Sequence, residues 1–260
     1  MRIALGVEYN GHAYSGWQAQ KDDVETVQET LEAALSVVAD QPIRVICAGR
    51  TDTGVHGAEQ VVHFDTDAKR SNRSWVYGAN ANLPKDVCVL WATPVPDDFH
   101  ARFSARRRRY QYVIFNRNVR PTYLAYRTTW EYRPLDVARM QEAANYLVGT
   151  HDFNAYRAVA CQAKSSVKEV LALKVSRKGQ FVLINIEATA FLHHMVRNIA
   201  GVLMEIGAGV REPIWAKEIL ETRDRTKGGV TAQPYGLYLT GVSYDQIFQL
   251  PQVSHPAPIW

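Results

Sequence analysis

Apolar residues recur along this chain with two periods, an alternation that is typical of strands and a spacing of three to four that is typical of helices. Short apolar runs predict strands at residues 3–7, 43–47, 60–64, 87–92, 109–115, 170–175, 181–188 and 236–242. The longer period predicts helices after Thr26, near 72–81, from Val137 to a stop at Gly149, and at about 194–207 and 212–221. Strands and helices therefore interleave along the whole chain.

Local start and turn signals support this division. Thr26 and Glu29 form a capping box, in which a hydroxyl caps the first turn and a carboxylate follows three residues later. Lys178-Gly179 separates two strand-like runs and predicts a hairpin. The sequence thus predicts an α+β (two-lobed α/β) fold with mostly antiparallel sheets and helices packed outside them. We expect lobes at 1–105 and 106–260 that meet at a cleft.

Composition and charge narrow the class of protein. A chain of 260 residues can bury a core without disulfides, and three scattered cysteines argue against a secreted disulfide framework. No stretch approaches the ~20 apolar residues of a membrane span, so we expect a soluble, cytoplasmic protein. The net charge is only +4, but residues 101–133 contain nine arginines and a single acid, Glu131. This concentration predicts a surface that binds a polyanion.

The most informative stretch is a loop at 47–57, in which glycines bracket an Arg-Thr-Asp-Thr core. Glycine lets the backbone turn tightly and lets a bulky ligand approach, so Asp52 is a candidate catalytic carboxylate on a scaffolded loop. The alternative is that Asp52 only forms an Asx-turn. Asp52-Thr53-Gly54 also matches the tripeptide of aspartic proteases, but those enzymes need two copies and the chain has one.

Arg197 is the only charged residue in the first half of a strongly apolar helix. A buried guanidinium requires a carboxylate partner, because an uncompensated buried charge is costly. We predict that Asp52 is this partner and that the arginine keeps it ionised. The alternative is an arginine that reaches the surface between small residues. Adjacent His193-His194 would point to different faces, and a third ligand at a recognised spacing is missing, so we expect no metal site.

A segment at 99–112 interleaves arginines with aromatic residues. Arginine pairs with phosphate in bidentate geometry, and aromatic rings stack on unpaired bases. Tyr110 and Tyr112 would share one face of a strand, with Gln111 on the other. A charged edge strand that blocks aggregation is the alternative. Four consecutive arginines exceed that need, so the segment predicts contact with RNA: Arg106, Arg107, Arg108 and Arg109.

A series of short stretches, taken in order, resembles the family of bacterial tRNA pseudouridine synthase A over nearly the whole chain. The stretches are Tyr9-Asn10-Gly11, Tyr14-Ser15-Gly16-Trp17-Gln18, Gly49-Arg50-Thr51-Asp52 through Gly57, Val61-Val62-His63-Phe64, Asn82-Leu83-Pro84, residues 99–112, His151-Asp152-Phe153, residues 191–201 and Gly236-Leu237-Tyr238-Leu239. Each stretch alone is weakly specific, whereas the ordered set is highly specific.

The resemblance implies a two-lobed fold, a homodimer, and an enzyme without metal or cofactor that acts on uridines 38, 39 and 40 of the tRNA anticodon stem-loop. It assigns Asp52 as the nucleophile, Arg197 as its salt-bridge partner and Tyr110 as the ring that packs on the target base. Substrate contacts are expected from the following residues: Arg50, His56, Arg106, Arg107, Arg108, Arg109, Tyr110 and Leu237. Thr53 stands where the family usually has alanine, and Tyr156 where phenylalanine is common.

Two alternatives from other classes fit part of these features. A non-catalytic RNA-binding protein explains the basic segment but gives the glycine-bracketed acid no purpose. A hydrolase of an N-glycosidic bond in nucleic acid would use the same acid and release free base. Chromatography of the nucleosides from treated tRNA separates the three readings, because it would show pseudouridine, free uracil or neither.

Overall fold

The structure, a computed structural model, describes residues 1–20, 24–159, 161 and 163–251. The chain forms two compact units, which we call unit 1 (Met1–Arg106 with residues 238–251) and unit 2 (Arg107–Leu237). The α+β class with mostly antiparallel strand pairing is confirmed. The lobe boundary between 105 and 106 stays a prediction. Every helix in the described part of the chain falls short of the length or apolar character that a membrane span requires.

Unit 1 is a sheet of mostly antiparallel strands with two helices. Its elements are β1 (Arg2–Tyr9), α1 (Val27–Ala39), β2 (Ile46–Cys47), β3 (His56–Asp65), α2 (Asn72–Asn82), β4 (Val87–Val95) and β10 (Leu237–Ser243). The residues of β10 from Tyr238 onward belong to this unit. The strand order is β4-β1-β3-β10, and β2 also pairs with β3. β1 is antiparallel to both of its neighbours, whereas β10 joins β3 in parallel.

The first helix begins where the capping box predicts. The Thr26 hydroxyl accepts a hydrogen bond from the Glu29 N–H at 3.3 Å and donates to the Glu29 carboxylate. The apolar face of α1 is buried at Val27, Leu31 and Leu35, which join the side chains of β1 and β3 in the core of unit 1. Burial of this face, added to the capped first turn, holds the helix against the sheet.

The predicted strand at 43–47 is wrong over its first half, because only Ile46–Cys47 pairs with β3. The Ile43 N–H instead donates to the Ser36 hydroxyl at 2.9 Å. The Val45 N–H donates to the Glu32 carboxylate at 3.0 Å, and both acceptors belong to α1. Helix side chains thus satisfy backbone groups that a strand neighbour would otherwise satisfy.

In the part of the chain that the structure describes, unit 2 contains five strands and three helices. Its elements are β5 (Arg107–Asn116), β6 (Thr129–Glu131), α3 (Val137–Asn145), β7 (Gly149–Asp152), β8 (Val167–Lys178), β9 (Phe181–Ala188), α4 (Met195–Gly207) and α5 (Trp215–Thr222). The strand order is β5-β9-β8-β7 with antiparallel pairing throughout, and β6 runs parallel to the end of β5. The hairpin predicted at Lys178-Gly179 is confirmed, since β8 and β9 flank it.

The predicted helical stop at Gly149 is wrong, because α3 already ends at Asn145. The Tyr146 N–H bonds to a carbonyl three residues back, that of Ala143 at 3.3 Å, which tightens the last turn. Gly149 opens β7 instead, with a φ of 107° that glycine adopts without a side-chain clash. The short strands β6 and β7 were not predicted, because three or four residues give too little pattern to detect.

Candidate active site

The loop that carries Asp52 leaves the sheet of unit 1 from a fixed point. Ala48 donates its N–H to the Val61 carbonyl on β3 at 2.8 Å. The side-chain amide of Gln60 donates to the Gly49 carbonyl at 2.6 Å, and its oxygen accepts from the Gly49 N–H at 3.4 Å. Because Gln60 is fully buried, this pair of bonds anchors the start of the loop to β3.

Asp52 lies at the turn of the loop and is half-buried, between the buried Thr51 and the exposed Thr53. Its backbone carbonyl accepts a hydrogen bond from the Val55 N–H at 3.1 Å, which closes a four-residue turn. Gly54, the third residue of that turn, has a φ of 78°. Turns with a positive φ at this position favour glycine, so the glycine after the acid is a requirement of the loop backbone.

Residues 9–17, which we call the cradle segment, hold the residue before Asp52. The Trp17 N–H donates to the Thr51 carbonyl at 3.0 Å. The Tyr9 hydroxyl forms a buried 2.8 Å hydrogen bond with the Thr51 hydroxyl. Thr51 is therefore fixed at both its backbone and its side chain, and the peptide that leads into Asp52 is fixed with it.

The cradle segment also binds Gly54, which lies two residues after Asp52. The Tyr14 carbonyl accepts from the Gly54 N–H at 3.4 Å. The Tyr14 hydroxyl donates to the Asp86 carboxylate at 2.8 Å. Burial and this bond raise the pKa of Tyr14, which keeps its phenol protonated as the donor. Both ends of the Asp52 turn are thus attached to the same short segment.

Two glycines let the cradle segment approach the loop this closely. A Cβ at Gly11 would lie 1.9 Å from the Val55 carbonyl oxygen. Gly16 has a φ of 93°, and a Cβ there would lie 2.9 Å from the Thr51 carbonyl oxygen. The sequence identified this stretch only by resemblance and missed its role as a support for the loop. The two glycines five residues apart were the available signal.

His56 follows the turn and is almost completely buried. Its Nδ1 accepts a hydrogen bond from the Gly11 N–H at 3.1 Å, so the ring proton of the neutral imidazole is on Nε2. The ring stacks on Tyr238, with 4.6 Å between centroids and 22° between planes. The expected contact of His56 with substrate stays a prediction, and its observed bonds tie the cradle segment and β10 to the loop.

Strand β5 places the two tyrosines as predicted, on one face. Tyr110 lies opposite Ile186 of β9, while the side-chain amide of Gln111 bonds to Asn185 at 2.8 Å on the other face. Tyr110 is buried and meets Phe191 edge to face, with 5.0 Å between centroids. This contact fixes the angle of the Tyr110 ring.

Tyr112 ties β5 to the chain that leads into β10. Its hydroxyl donates to the Gln233 carbonyl at 2.7 Å and lies 2.5 Å from the Thr129 hydroxyl. Complete burial raises the pKa of Tyr112, so the phenol remains a donor throughout the physiological range. Leu237, an expected substrate contact, is the buried first residue of β10.

The arginine run already has partners within each unit. In unit 1, Arg106 contacts Asp245 at 2.6 Å, and this hydrogen bond lowers the pKa of the carboxyl. In unit 2, Arg107 contacts Glu187 at 3.0 Å. Both arginine side chains remain more than half exposed. Ion pairs of such exposed arginines are weak, so these two contacts add little to the stability of the fold.

The last two arginines of the run are half-buried. Arg108 donates to the Thr189 carbonyl at 2.9 Å and shares its strand face with Tyr110. Arg109 shares the opposite face with Arg107. The three arginines of β5 are therefore divided between the two faces of the strand, and their expected contacts with RNA stay predictions. Arg50, the remaining predicted contact, is exposed in the Asp52 loop.

Arg197 lies in the first turn of α4 and is half-buried. Its Nε donates to the Ala232 carbonyl at 2.9 Å, and the Ala232 N–H donates to the Arg197 carbonyl at 3.1 Å. The chain before β10 is therefore bonded to α4 in both directions. The expected ion pair of Arg197 with Asp52 stays a prediction.

The next residue of α4, Asn198, reinforces the contact between α4 and the chain before β10. The Asn198 side chain donates to the Tyr156 carbonyl at 2.7 Å and accepts from Arg225 (3.1 Å) and Thr231 (2.7 Å). A Cβ at Gly201, one turn on, would lie 1.9 Å from the Val230 carbonyl oxygen. The segment at 225–232 is thus fitted to one face of α4, which holds the Arg197 side chain in place.

The prediction that His193 and His194 project from different helix faces is wrong. α4 begins at Met195, and the two rings contact each other with 4.1 Å between centroids. His194 has a φ of 62°, a left-handed conformation that is uncommon outside glycine. This bend before the helix turns the two rings toward each other, which a helical reading of the sequence could not reveal.

Known proteins are similar to this chain over nearly its whole length. Residues 6–104 and 143–245 match the family described as tRNA pseudouridine synthase. The protein named tRNA pseudouridine synthase A of Alcanivorax borkumensis is 57% identical over 259 residues, covering 100% of this chain and 97% of that protein. Its namesake in Nitrosococcus oceani is 58% identical over 260 residues, covering 100% of both. The namesake in Pseudomonas aeruginosa is 59% identical over 251 residues, covering 96% of this chain and 88% of that protein.

These matches define an RNA-modifying isomerase of the pseudouridine synthase class. Within that class, the chain belongs to the tRNA pseudouridine synthase family. A purely RNA-binding protein and a base-releasing hydrolase are both set aside by this membership.

Gly201→Ala tests the fit between α4 and the segment at 225–232. Alanine normally stabilises a helix interior by up to about 1 kcal/mol relative to glycine. Here we expect a loss of about 1–3 kcal/mol, because the Val230 carbonyl must move. Urea unfolding followed by circular dichroism measures the change.

Gly78→Ala in α2 is the matched control, since its Cβ would meet the side chain of Val38, at 2.9 Å from the nearest methyl carbon, and no backbone atom among its nearest contacts. That variant should be neutral or slightly stabilised. A Gly201→Ala protein as stable as the parent would show that the segment is not tightly fitted to α4.

Proposed function

We propose that this chain isomerises uridine to pseudouridine at positions 38, 39 and 40 of the tRNA anticodon stem-loop, with Asp52 as the catalytic carboxylate and no cofactor. Full-length similarity to proteins named tRNA pseudouridine synthase A supports the substrate. The position of Asp52, half-buried in a turn whose flanking residues are fixed, supports the catalytic assignment. A homodimer in the cytoplasm stays a prediction.

The reaction itself explains why side chains suffice. It breaks the N1–C1′ bond, turns the detached uracil and joins C5 to C1′, while C5 loses a proton and N1 gains one. Nothing is oxidised and no group is imported. A carboxylate can capture the electron-poor C1′ or remove the 2′ proton, and both routes require an ionised acid close to the sugar.

The target base has to leave its stack before the acid can reach the sugar. Flipping a base costs a few kcal/mol, which contacts with the extruded base must offset. Tyr110 is the proposed wall for that base, and its contact with Phe191 supports this role by fixing the ring. Arg50 is proposed to contact the phosphate or fill the gap in the stem, which its exposure on the loop permits.

Arg197 is proposed to form the ion pair that keeps Asp52 ionised. The support is chemical, since opposite charges that are both half-buried stabilise each other when they pair. Two hydrogen bonds with Ala232 hold the backbone carbonyl and the Nε of Arg197. Its guanidinium would therefore already be ordered before the substrate binds.

Asp52→Asn tests the catalytic assignment. The carboxamide keeps the shape of the side chain but is a poor nucleophile and base, so kcat should fall more than about a thousandfold. tRNA affinity should stay within about threefold, because the arginine contacts are untouched. Tritium release from tRNA labelled at uridine C5 measures turnover, and filter binding measures affinity.

Asp98→Asn, an exposed aspartate of unit 1, is the matched control and should retain full activity. Near-normal turnover by Asp52→Asn would remove Asp52 from the mechanism. Mapping of the product in a tRNA with single uridines at 38, 39 or 40 tests the site, and modification elsewhere would contradict the proposed position.

Arg106→Gln/Arg107→Gln tests the proposed grip on the RNA backbone. Each lost phosphate contact should flatten the log–log dependence of tRNA affinity on salt by about 0.7–0.9, so the pair should flatten it by about 1.4–1.8. Titrations at several salt concentrations measure the slope. Lys69→Gln/Arg73→Gln removes the same charge from exposed positions elsewhere in unit 1. Equal slopes in both double variants would place the arginine run off the RNA.

Arg197→Met tests the proposed ion pair. It removes the charge and the bond to the Ala232 carbonyl, so we expect a loss of roughly 1–3 kcal/mol in stability together with a large fall in kcat. Arg197→Lys keeps the charge and should retain more activity than Arg197→Met. Melting temperatures and single-turnover rates measure both effects. Parental melting and kinetics in Arg197→Met would contradict the pair.

A further inference from the structure

We propose that Tyr9 and Thr51 are a positioning pair for the reaction, in which the bond between their two hydroxyls fixes the peptide that carries Asp52. The inference rests on the proposed function, in which Asp52 is the catalytic carboxylate. Neither residue is assigned a direct role with the substrate. They act through the orientation of the acid.

The bond between the two hydroxyls is short and shielded from water. Its oxygens lie 2.8 Å apart, and Tyr9 and Thr51 are only 3% and 7% exposed. Water therefore cannot readily replace either partner, and removal of one hydroxyl leaves the other in an apolar environment. Because this buried bond joins side chains that are 42 residues apart in the sequence, it is a specific constraint on the loop.

The sheet delivers the Tyr9 hydroxyl to the loop through an irregularity in its pairing. Tyr9 is the last residue of β1 and lies opposite Gly57 of β3, after a register shift that begins at Val7. Such a bulge re-aims a side chain near functional sites. A Cβ at Gly57 would lie 2.4 Å from the Tyr9 ring, so the ring crosses directly over the Gly57 backbone.

The two bonds to Thr51 have different effects on Asp52. The Trp17 N–H fixes one point of the Thr51 peptide, its carbonyl oxygen. With that bond alone, the peptide can pivot about the fixed point. The Tyr9 hydroxyl adds a second point on the side chain, which prevents the pivot. Because Asp52 is the next residue, a pivot at Thr51 moves its carboxylate, and a misplacement of about 1 Å can cost about a hundredfold in rate.

The test is a double-mutant cycle on turnover. Tyr9→Phe and Thr51→Val each remove one hydroxyl at nearly constant shape. We expect each to lower kcat by about tenfold, with the KM for tRNA within about twofold, because orientation affects the chemical step more than binding. The double variant should be no slower than either single variant. Thr51→Ser keeps the hydroxyl and should retain most of the parental kcat.

Tyr156→Phe in unit 2 is the matched control. Tyr156 is equally buried, and its hydroxyl donates to the Ala216 carbonyl at 2.9 Å. Its loss should lower the melting temperature about as much as Tyr9→Phe and leave kcat unchanged. A role in stability alone would therefore give the same phenotype in both variants, whereas positioning gives a fall in kcat only at Tyr9 and Thr51.

Three results would overturn the pair: parental kcat in Tyr9→Phe, additive losses in the double variant, or an equal fall in kcat for Tyr156→Phe. Asp52→Asn, measured in the same assay, separates this inference from the proposed function. Activity in Asp52→Asn refutes the proposed function and removes the basis for the pair. An inactive Asp52→Asn beside a fully active Tyr9→Phe refutes the pair alone.

Discussion

The close approach of two backbone segments in unit 1 is the constraint on which the rest of the site depends. The cradle segment and the turn at Asp52 exchange hydrogen bonds at distances that leave no room for side chains at Gly11 or Gly16. Glycine at position 54 adopts the positive φ of the turn without strain, and the cradle segment holds the turn from both sides. The peptides on both sides of Asp52 are therefore fixed by the protein itself, which is the preorganisation that its proposed role requires.

The arginines of the basic segment differ in how far the fold already uses them. Arg106 and Arg107 pair with carboxylates in the absence of RNA, yet both stay largely exposed. Each pair offsets the charge of one arginine within its own unit, and pairs of such exposed arginines add little to stability. Arg108 is different, since its side chain bonds to the carbonyl of Thr189, the residue directly after β9, and so helps to join β5 to β9.

Periodicity and capping signals predicted most of the fold, because long amphipathic elements such as α1 and β9 carry their pattern in many residues. The same signals failed where side chains replaced strand partners, as at Ile43 and Val45. At the site, the glycine spacing indicated Asp52, which needs only local information. The hydroxyl partner of Thr51 could not be predicted, because the bond joins residues 42 positions apart through a register shift.

The parallel pairing of β10 with β3 has a consequence for how the protein is made. β3 emerges from the ribosome before β10, the strand that pairs with it in parallel, and nearly all of unit 2 lies between them in the sequence. His56, at the start of β3, gains its stacking partner Tyr238 only when β10 has been made. The unit that carries Asp52 therefore cannot complete its sheet until unit 2 has been synthesised, and the edge of β3 has to be kept from aggregating until then.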